Sequence, residues 1–570
     1  MEFKRKALSV ALLAATSTLT ACGGSSSSGD TDPVTPVNTA PTAIALSADS
    51  VLENHVGIEV GILSATDANT GDTFTYATEN ADFTIVDDTL MLAGSTSFDY
   101  EKTTSVDVDV TVTDNGGLSY TQTLTINVSD LLDYYDFISE FDADTSSVSY
   151  SGQTARHALI AELKHYIGNE LQADLDNGEL TTKEQVIAKL NSFYNRDENA
   201  WDGFAVTFTD AKQKFFSEIS TYKSLHEKVA GNDESGQHKN WNEGDFAGWG
   251  AKGSTTPTAL IAHYFDQLAD NAMENLGGKR YVPGTDTEIA VYVNYDGTDL
   301  NQLIQKFLLM SVTYSQATDD YLDENKGLAT DNIDRDKGTK SYTKLEHQFD
   351  EGFGYFGAAK NYLDYNDNEI AGKVSSAEDG RSDWNGKHDT DGDGEIDLFS
   401  EFNFGNSVNA AKRDRGSVVQ TNYTKEAMDA FLAGRKLIND AAGADLTDAQ
   451  MTELLGYRDT AVAVWEKAIA ATVIHYINDL HSDLAKVGSD DFDFATAAKH
   501  FSELKGFALG LQFNPYSPIT DAQFEEIHML IGDAPVLELA DVAAYQAKLY
   551  QAGGIIEAAL VFDAENVENW

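Results

Sequence analysis

The run Asp389-Thr390-Asp391-Gly392-Asp393-Gly394-Glu395-Ile396-Asp397 puts carboxylates at positions 1, 3, 5 and 9 of a loop spaced like those that wrap a calcium ion. Glycine stands at position 6, where such a loop turns sharply, and Glu395 offers a backbone carbonyl at position 7. Hard oxygen donors suit calcium, so Asp389, Asp391, Asp393, Glu395 and Asp397 are read as its ligands. The glutamate that should close the shell at position 12 is Ser400, with Glu401 one residue late, which predicts reduced affinity. The alternative is an acidic, glycine-rich surface loop.

A second grouping depends on how helices meet. His347-x-x-Asp350, with Glu351 and Gly352-Phe353, is echoed by His500-x-x-Glu503 with Gly506-Phe507. Residues at i and i+3 share a helix face, so each copy sets an imidazole beside a carboxylate. If two related halves faced each other, His347, Asp350, Glu351, His500 and Glu503 would suit iron, zinc or manganese. If not, each histidine bonds its neighbouring carboxylate and the Gly-Phe pairs allow close packing. Glu162 and His165 form an ExxH pair of the kind found in di-iron bundles. Trp241, Phe246 and Trp249 either stack on a flat ligand or plug their loop onto a core. No HExxH, nucleophile elbow, phosphate loop or dinucleotide fingerprint is found, so the reading leans away from an enzyme.

The elements that must position these residues come in two textures. From about residue 39 to 130, short alternating stretches such as Val106 to Val112 and Thr121 to Val128 are broken by turn signals at Asn69 to Asp72 and Asp114 to Gly117, which predicts a β-sandwich. Over residues 131–570 the apolar period becomes helical. It predicts helices at Gln153 to Leu171, Lys183 to Tyr194, Ala259 to Leu276, Leu300 to Leu322, Tyr342 to Tyr362, Lys425 to Leu437, Asp448 to Leu484 and Ala495 to Leu511. The expected fold is a small all-β domain followed by a large all-α bundle.

With 93 acidic against 39 basic residues and a net charge of -54, the surface repels phosphate backbones, so nucleic acid is excluded as a partner. Cys22, the one cysteine, ends the run Leu19-Thr20-Ala21-Cys22 behind Lys4, Arg5, Lys6 and an apolar stretch from Ala7 to Ala15. This resembles a bacterial lipoprotein signal, residues 1–21, with lipidation at Cys22. Gly23 rather than Asp after the cysteine implies, by lipoprotein sorting rules, the outer membrane. Residues 22–38, rich in Gly, Ser, Thr and Pro, read as a flexible stalk.

Ala40-Pro41-Thr42, Glu53-Asn54, Thr66-Asp67-Ala68-Asn69, Phe98-Asp99-Tyr100-Glu101 and Thr113-Asp114-Asn115-Gly116-Gly117 fall in an order that resembles one bacterial cadherin-like repeat. The resemblance implies calcium ligands at Glu53, Asp99 and Glu101 at one end and Asp67 at the other. The helical part, through residues 149–156 (SYSGQTAR), 347–357 (HQFDEGFGYFG), 409–414 (NAAKRD) and 505–515 (KGFALGLQFNP), resembles a helical lipoprotein family of unknown function, distantly similar to imelysin-like proteins. Three readings follow. The preferred one is an outer-membrane lipoprotein with a calcium-binding stem and a helical ligand- or metal-binding domain, serving iron or nutrient uptake beside an outer-membrane receptor or surface ligand. The others are a calcium-dependent adhesion protein and an imelysin-like peptidase.

Overall fold

The computed structural model describes residues 37–233 and 236–570, in two compact units that divide between Leu131 and Leu132. In the first unit eight strands form two four-stranded sheets. One sheet has the order β1 (Ala43–Leu46), β3 (Glu59–Thr66), β6 (Thr89–Leu92), β5 (Phe83–Val86); the other β2 (Ser50–Leu52), β8 (Ser119–Ser129), β7 (Ser105–Asp114), β4 (Phe74–Thr78). All pairings are antiparallel except β2 with β8.

Strand β7 shows why the sequence folds this way. Its side chains alternate across the sheet, so Val108, Val110 and Val112 are buried while Asp107 and Asp109 face out. The outward aspartates accept hydrogen bonds from Thr125 and Thr123 on β8. The valines meet Leu63 and Leu90 of the facing sheet in one core. This is the expected all-β domain.

The second unit contains fifteen α-helices among the described residues. They are α1 (Ser151–His165), α2 (Leu171–Asp176), α3 (Lys183–Tyr194), α4 (Phe216–Ile219), α5 (Pro257–Gly277), α6 (Leu300–Leu308), α7 (Lys344–Phe356) and α8 (Asp367–Ile370), then α9 (Gly405–Asp414), α10 (Tyr423–Asp440), α11 (Asp448–Leu484), α12 (Phe494–Ala508), α13 (Asp521–Ile531), α14 (Val542–Leu560) and α15 (Ala564–Asn569). Helix α11, roughly 55 Å long at 1.5 Å per residue, packs against α9, α10, α12, α14 and α15. Most of the unit's buried side chains form one core, with Trp465 and Tyr314 among the largest.

Helix α6 does not end at Leu308. It continues through π-helical turns at Leu309–Tyr314 and Ala317–Tyr321, and every residue from Leu309 to Tyr321 is buried. None of the described helices is long and apolar enough to cross a membrane.

Arg435 of α10 is fully buried and binds Glu346 (2.9 Å) and Asp350 (2.7 Å) of α7 together with the Ser147 hydroxyl (2.7 Å). Asp350 also accepts hydrogen bonds from the Tyr135 hydroxyl (3.1 Å) and the Ser149 amide (2.9 Å). The entry segment 135–150 is thereby fastened to α7 and α10.

Candidate metal centres

Asp67 follows β3, Asp72 lies in the turn before β4, and Asp114 ends β7. The two sheets bring them together, so that one carboxylate oxygen from each lies within 4.8 Å of the others. Asp114 is buried and accepts from the Leu118 amide (2.9 Å) and the Asn38 side chain (3.0 Å). Asn38 reaches it because residue 116 is glycine: a Cβ there would stand 2.1 Å from the Asn38 amide nitrogen. Asp67 accepts from the Asn69 amide (2.8 Å) through Oδ1. The Oδ2 atoms of both Asp67 and Asp72 are buried with no hydrogen-bond partner. Burial, then the neighbouring charges of Asp67 and Asp114, push the Asp72 carboxyl up. Burial also opposes ionisation of Asp114, but the Leu118 amide and Asn38 outweigh it and hold its carboxyl below the usual range. Crowded carboxylates with unpartnered oxygens are a donor set for a hard cation of the calcium type.

The 389–397 loop gathers a second set. Asp389, Asp391 and Asp393 offer oxygens within 4.8 Å of one another. Asp389 accepts from the amides of Gly392 (2.7 Å), Asp393 (3.2 Å) and Gly394 (2.8 Å), and these bonds hold its carboxyl low. Glu401 is buried and staples the ends of the loop, accepting from the Thr390 amide and hydroxyl and the Asp397 amide. Lys212 stands over the cluster, 2.8 Å from Asp393 and 3.6 Å from Asp391.

Two expected ligands are aimed elsewhere. Glu395 pairs with Lys214 (2.7 Å), and Asp397 meets Gln213 and the Phe399 amide. Both are drawn aside by the segment 210–214, which bridges to the loop through Ala211 and Ile396.

Of the other expected β-unit ligands, Glu53 and Glu101 offer oxygens within 4.8 Å of each other. Glu53 is fully buried and accepts from the Tyr100 and Leu131 amides, both at 2.6 Å. Asp99 is tied to Lys102 (3.0 Å) and belongs to no such cluster. Asp72, Asp114 and Asn38 were missed. Asp114 lies in the quoted TDNGG run, but nothing local tells that β3 and β7 place it beside Asp67.

The shared histidine site does not form, which corrects that expectation. His347 engages the Ser149 carbonyl (2.9 Å) and stacks on Tyr342, whereas His500 faces Asp483 (2.7 Å) and Asp479 (3.8 Å) on α11. Asp350 is held by Arg435 and Glu503 lies 3.3 Å from Lys306. Glu351 accepts from Gln153 (3.0 Å). Each group satisfies a local partner, and none belongs to a metal-sized cluster among the described residues. Glu162 is likewise buried and fixed by Thr207, away from any ion. Trp241 and Phe246 are buried and plug their loop onto the core; the Trp249 ring packs on Tyr264. Cys22 lies outside the described residues.

Among solved structures, the chain is similar to human protocadherin-24 EC1-2, at 22% identity and a TM-score of 0.16, over 19% of this chain and 50% of that one. The chain thus spans half the length of that relative. No curated protein matches it. The family described as "Domain of unknown function (DUF4856)" matches residues 135–530, nearly the whole helical unit from Tyr135 to the end of α13. The chain belongs to this DUF4856 family.

Proposed function

We propose that this protein is an outer-membrane lipoprotein, anchored through Cys22, whose β-sandwich binds calcium and whose helical unit binds a ligand during nutrient uptake. The signal-like run ending at Cys22 supports the anchor. The observation that carries the calcium reading is the pair of buried, unpartnered oxygens on Asp67 and Asp72, beside the ionised Asp114. Left without a cation, these carboxylates repel one another at a few ångströms. The loop at Asp389, Asp391 and Asp393 is a weaker second site, because Lys212 already supplies positive charge there.

Calcium added to the chelator-treated full chain is expected to raise its melting temperature, with half-saturation at about 0.1–1 mM as in extracellular modules. At ten times that concentration the gain is about 1.4 kcal/mol. Asp67→Asn with Asp72→Asn should melt higher than the wild type in chelator and lose most of the calcium response. Identical melts in calcium and chelator, with no calcium retained on elemental analysis, would sink the reading.

A further inference from the structure

Four cationic side chains converge where α1, α6, α9 and α12 meet, in a protein that is otherwise short of them. Lys306 is buried, 3.3 Å from Glu503, and its Nζ donates to Gln305 at 2.6 Å. It reaches Glu503 because residue 506 is glycine: a Cβ there would lie 2.6 Å from the Lys306 Cβ. Lys164, in the last turn of α1, lies in the electrostatic field of Lys306, Glu503 and Lys412. Lys412 lies in that of Lys306, Lys373, Glu503 and Arg413.

The partners of these cations do not balance them. Glu503 is the carboxylate paired with Lys306, and its second oxygen is buried without a hydrogen bond. Lys164, Lys412 and Arg413 make no ion pair among the described residues. Arg413 is only 7% exposed, and its Nε has no acceptor. A buried guanidinium is normally hydrogen-bonded, and unpaired interior cations are costly. Lys164 and Lys412 are half-buried, so a small solute can reach them.

We propose that Lys164, Lys306, Lys412 and Arg413 form a binding site for a small oxyanion, carrying carboxylate or phosphate oxygens. The planar fork of Arg413 suits two oxygens at once, and the lysines add point charges around it. Glu503 orients Lys306 and, as the one acidic group beside it, limits the site to anions strong enough to compete. The site deepens the ligand-binding half of the function proposed above and rests on that half alone; the calcium clusters share none of its residues.

Burial and neighbouring cations hold the Lys164 ammonium down to about 7 and that of Lys412 to about 8. Lys306, Lys373, Arg413, Glu503 and, from the start of α6, Asp299 are the charged groups facing them. An arriving anion favours the charged lysines, so binding takes up protons near neutral pH and weakens as pH rises past about 8.

The test is isothermal titration of the full chain, in chelator, with inorganic phosphate and separately with succinate, in buffers of different ionisation enthalpy. One site with proton uptake is expected, and the probe that binds more tightly identifies the oxygen chemistry. Lys164→Met and Lys412→Met should each weaken binding by about tenfold or more, yet raise the melting temperature of the anion-free protein by removing a like charge. A lysine with a purely structural role would lower that temperature when replaced. No binding of either probe up to about 10 mM, or unchanged binding in both variants, overturns the proposal. Since calcium is absent throughout, that failure is separate from failure of the calcium reading.

Discussion

Glu466 lies near the middle of α11 with 1% of its surface exposed, accepting hydrogen bonds from Asn514 (2.8 Å) and the Ser517 hydroxyl. Burial pushes its carboxyl up to about 7, against those two bonds that favour the charged form. The folded state therefore holds this proton over a pH range in which the unfolded chain has released it. Its contribution to stability is full below the unfolded value near 4.5 and is lost as pH rises through about 7. Glu466→Gln should remove that loss, so the variant gains on the order of 3 kcal/mol relative to the wild type between pH 4.5 and 8. Parallel urea melts at the two pH values measure it, and an unchanged difference would refute the assignment. At this scale the sequence was legible where spacing alone builds a site. The 389–393 cluster is made by adjacent residues and their own amides. Asp72 and Asp114 become neighbours only through sheet pairing, and Lys164, Lys306 and Lys412 only through helix packing, so no motif announces them.

Helices α3 and α11 begin and end where the apolar period places them, Lys183–Tyr194 and Asp448–Leu484. Both are opened by a capping box, Thr182 with Gln185 and Thr447 with Gln450, which fixes the first turn from local sequence. The long Tyr342 to Tyr362 segment instead stops at Phe356, because Gly357 adopts φ 85° and ends the helix. Helices α9, α13, α14 and α15 went unread. In α14 buried and exposed apolar residues mix, with Met529 of the preceding α13 exposed as well, which blurs the amphipathic stripe. Helices α7 and α10 are joined by the Arg435 cluster. Arg435→Met would strand the buried carboxylates of Glu346 and Asp350, and a loss of about 3–5 kcal/mol is expected in chemical denaturation. Adding Glu346→Gln and Asp350→Asn should return a large part of that loss; a triple variant no better than the single one would show that Arg435 acts through packing instead.

At the scale of the whole molecule, the division into a sheet unit and a helical unit was legible because the hydrophobic period changes from two to helical near residue 131. The sign and size of the net charge exclude nucleic acid without reference to the fold. The proposed anchor is a property of the intact chain. Detergent phase partitioning should carry the wild-type protein into the detergent phase and leave Cys22→Ser in the aqueous phase; equal partitioning would remove the anchor from the proposal. The wide turns that continue α6 through the centre of the helical unit bear on how this chain can vary in length. A π turn accommodates one more residue than an α turn. Losing a residue from Leu309–Tyr314 would rewind the helix and rotate all that follows by about 100°. Asp319 would then leave His238 and Lys326, which it now holds at 2.7 and 3.0 Å, and buried Gln316 and Thr318 would face new neighbours. Insertions and deletions among related chains should thus gather in loops and spare this stretch, where one residue more or less reorients the interior of the bundle.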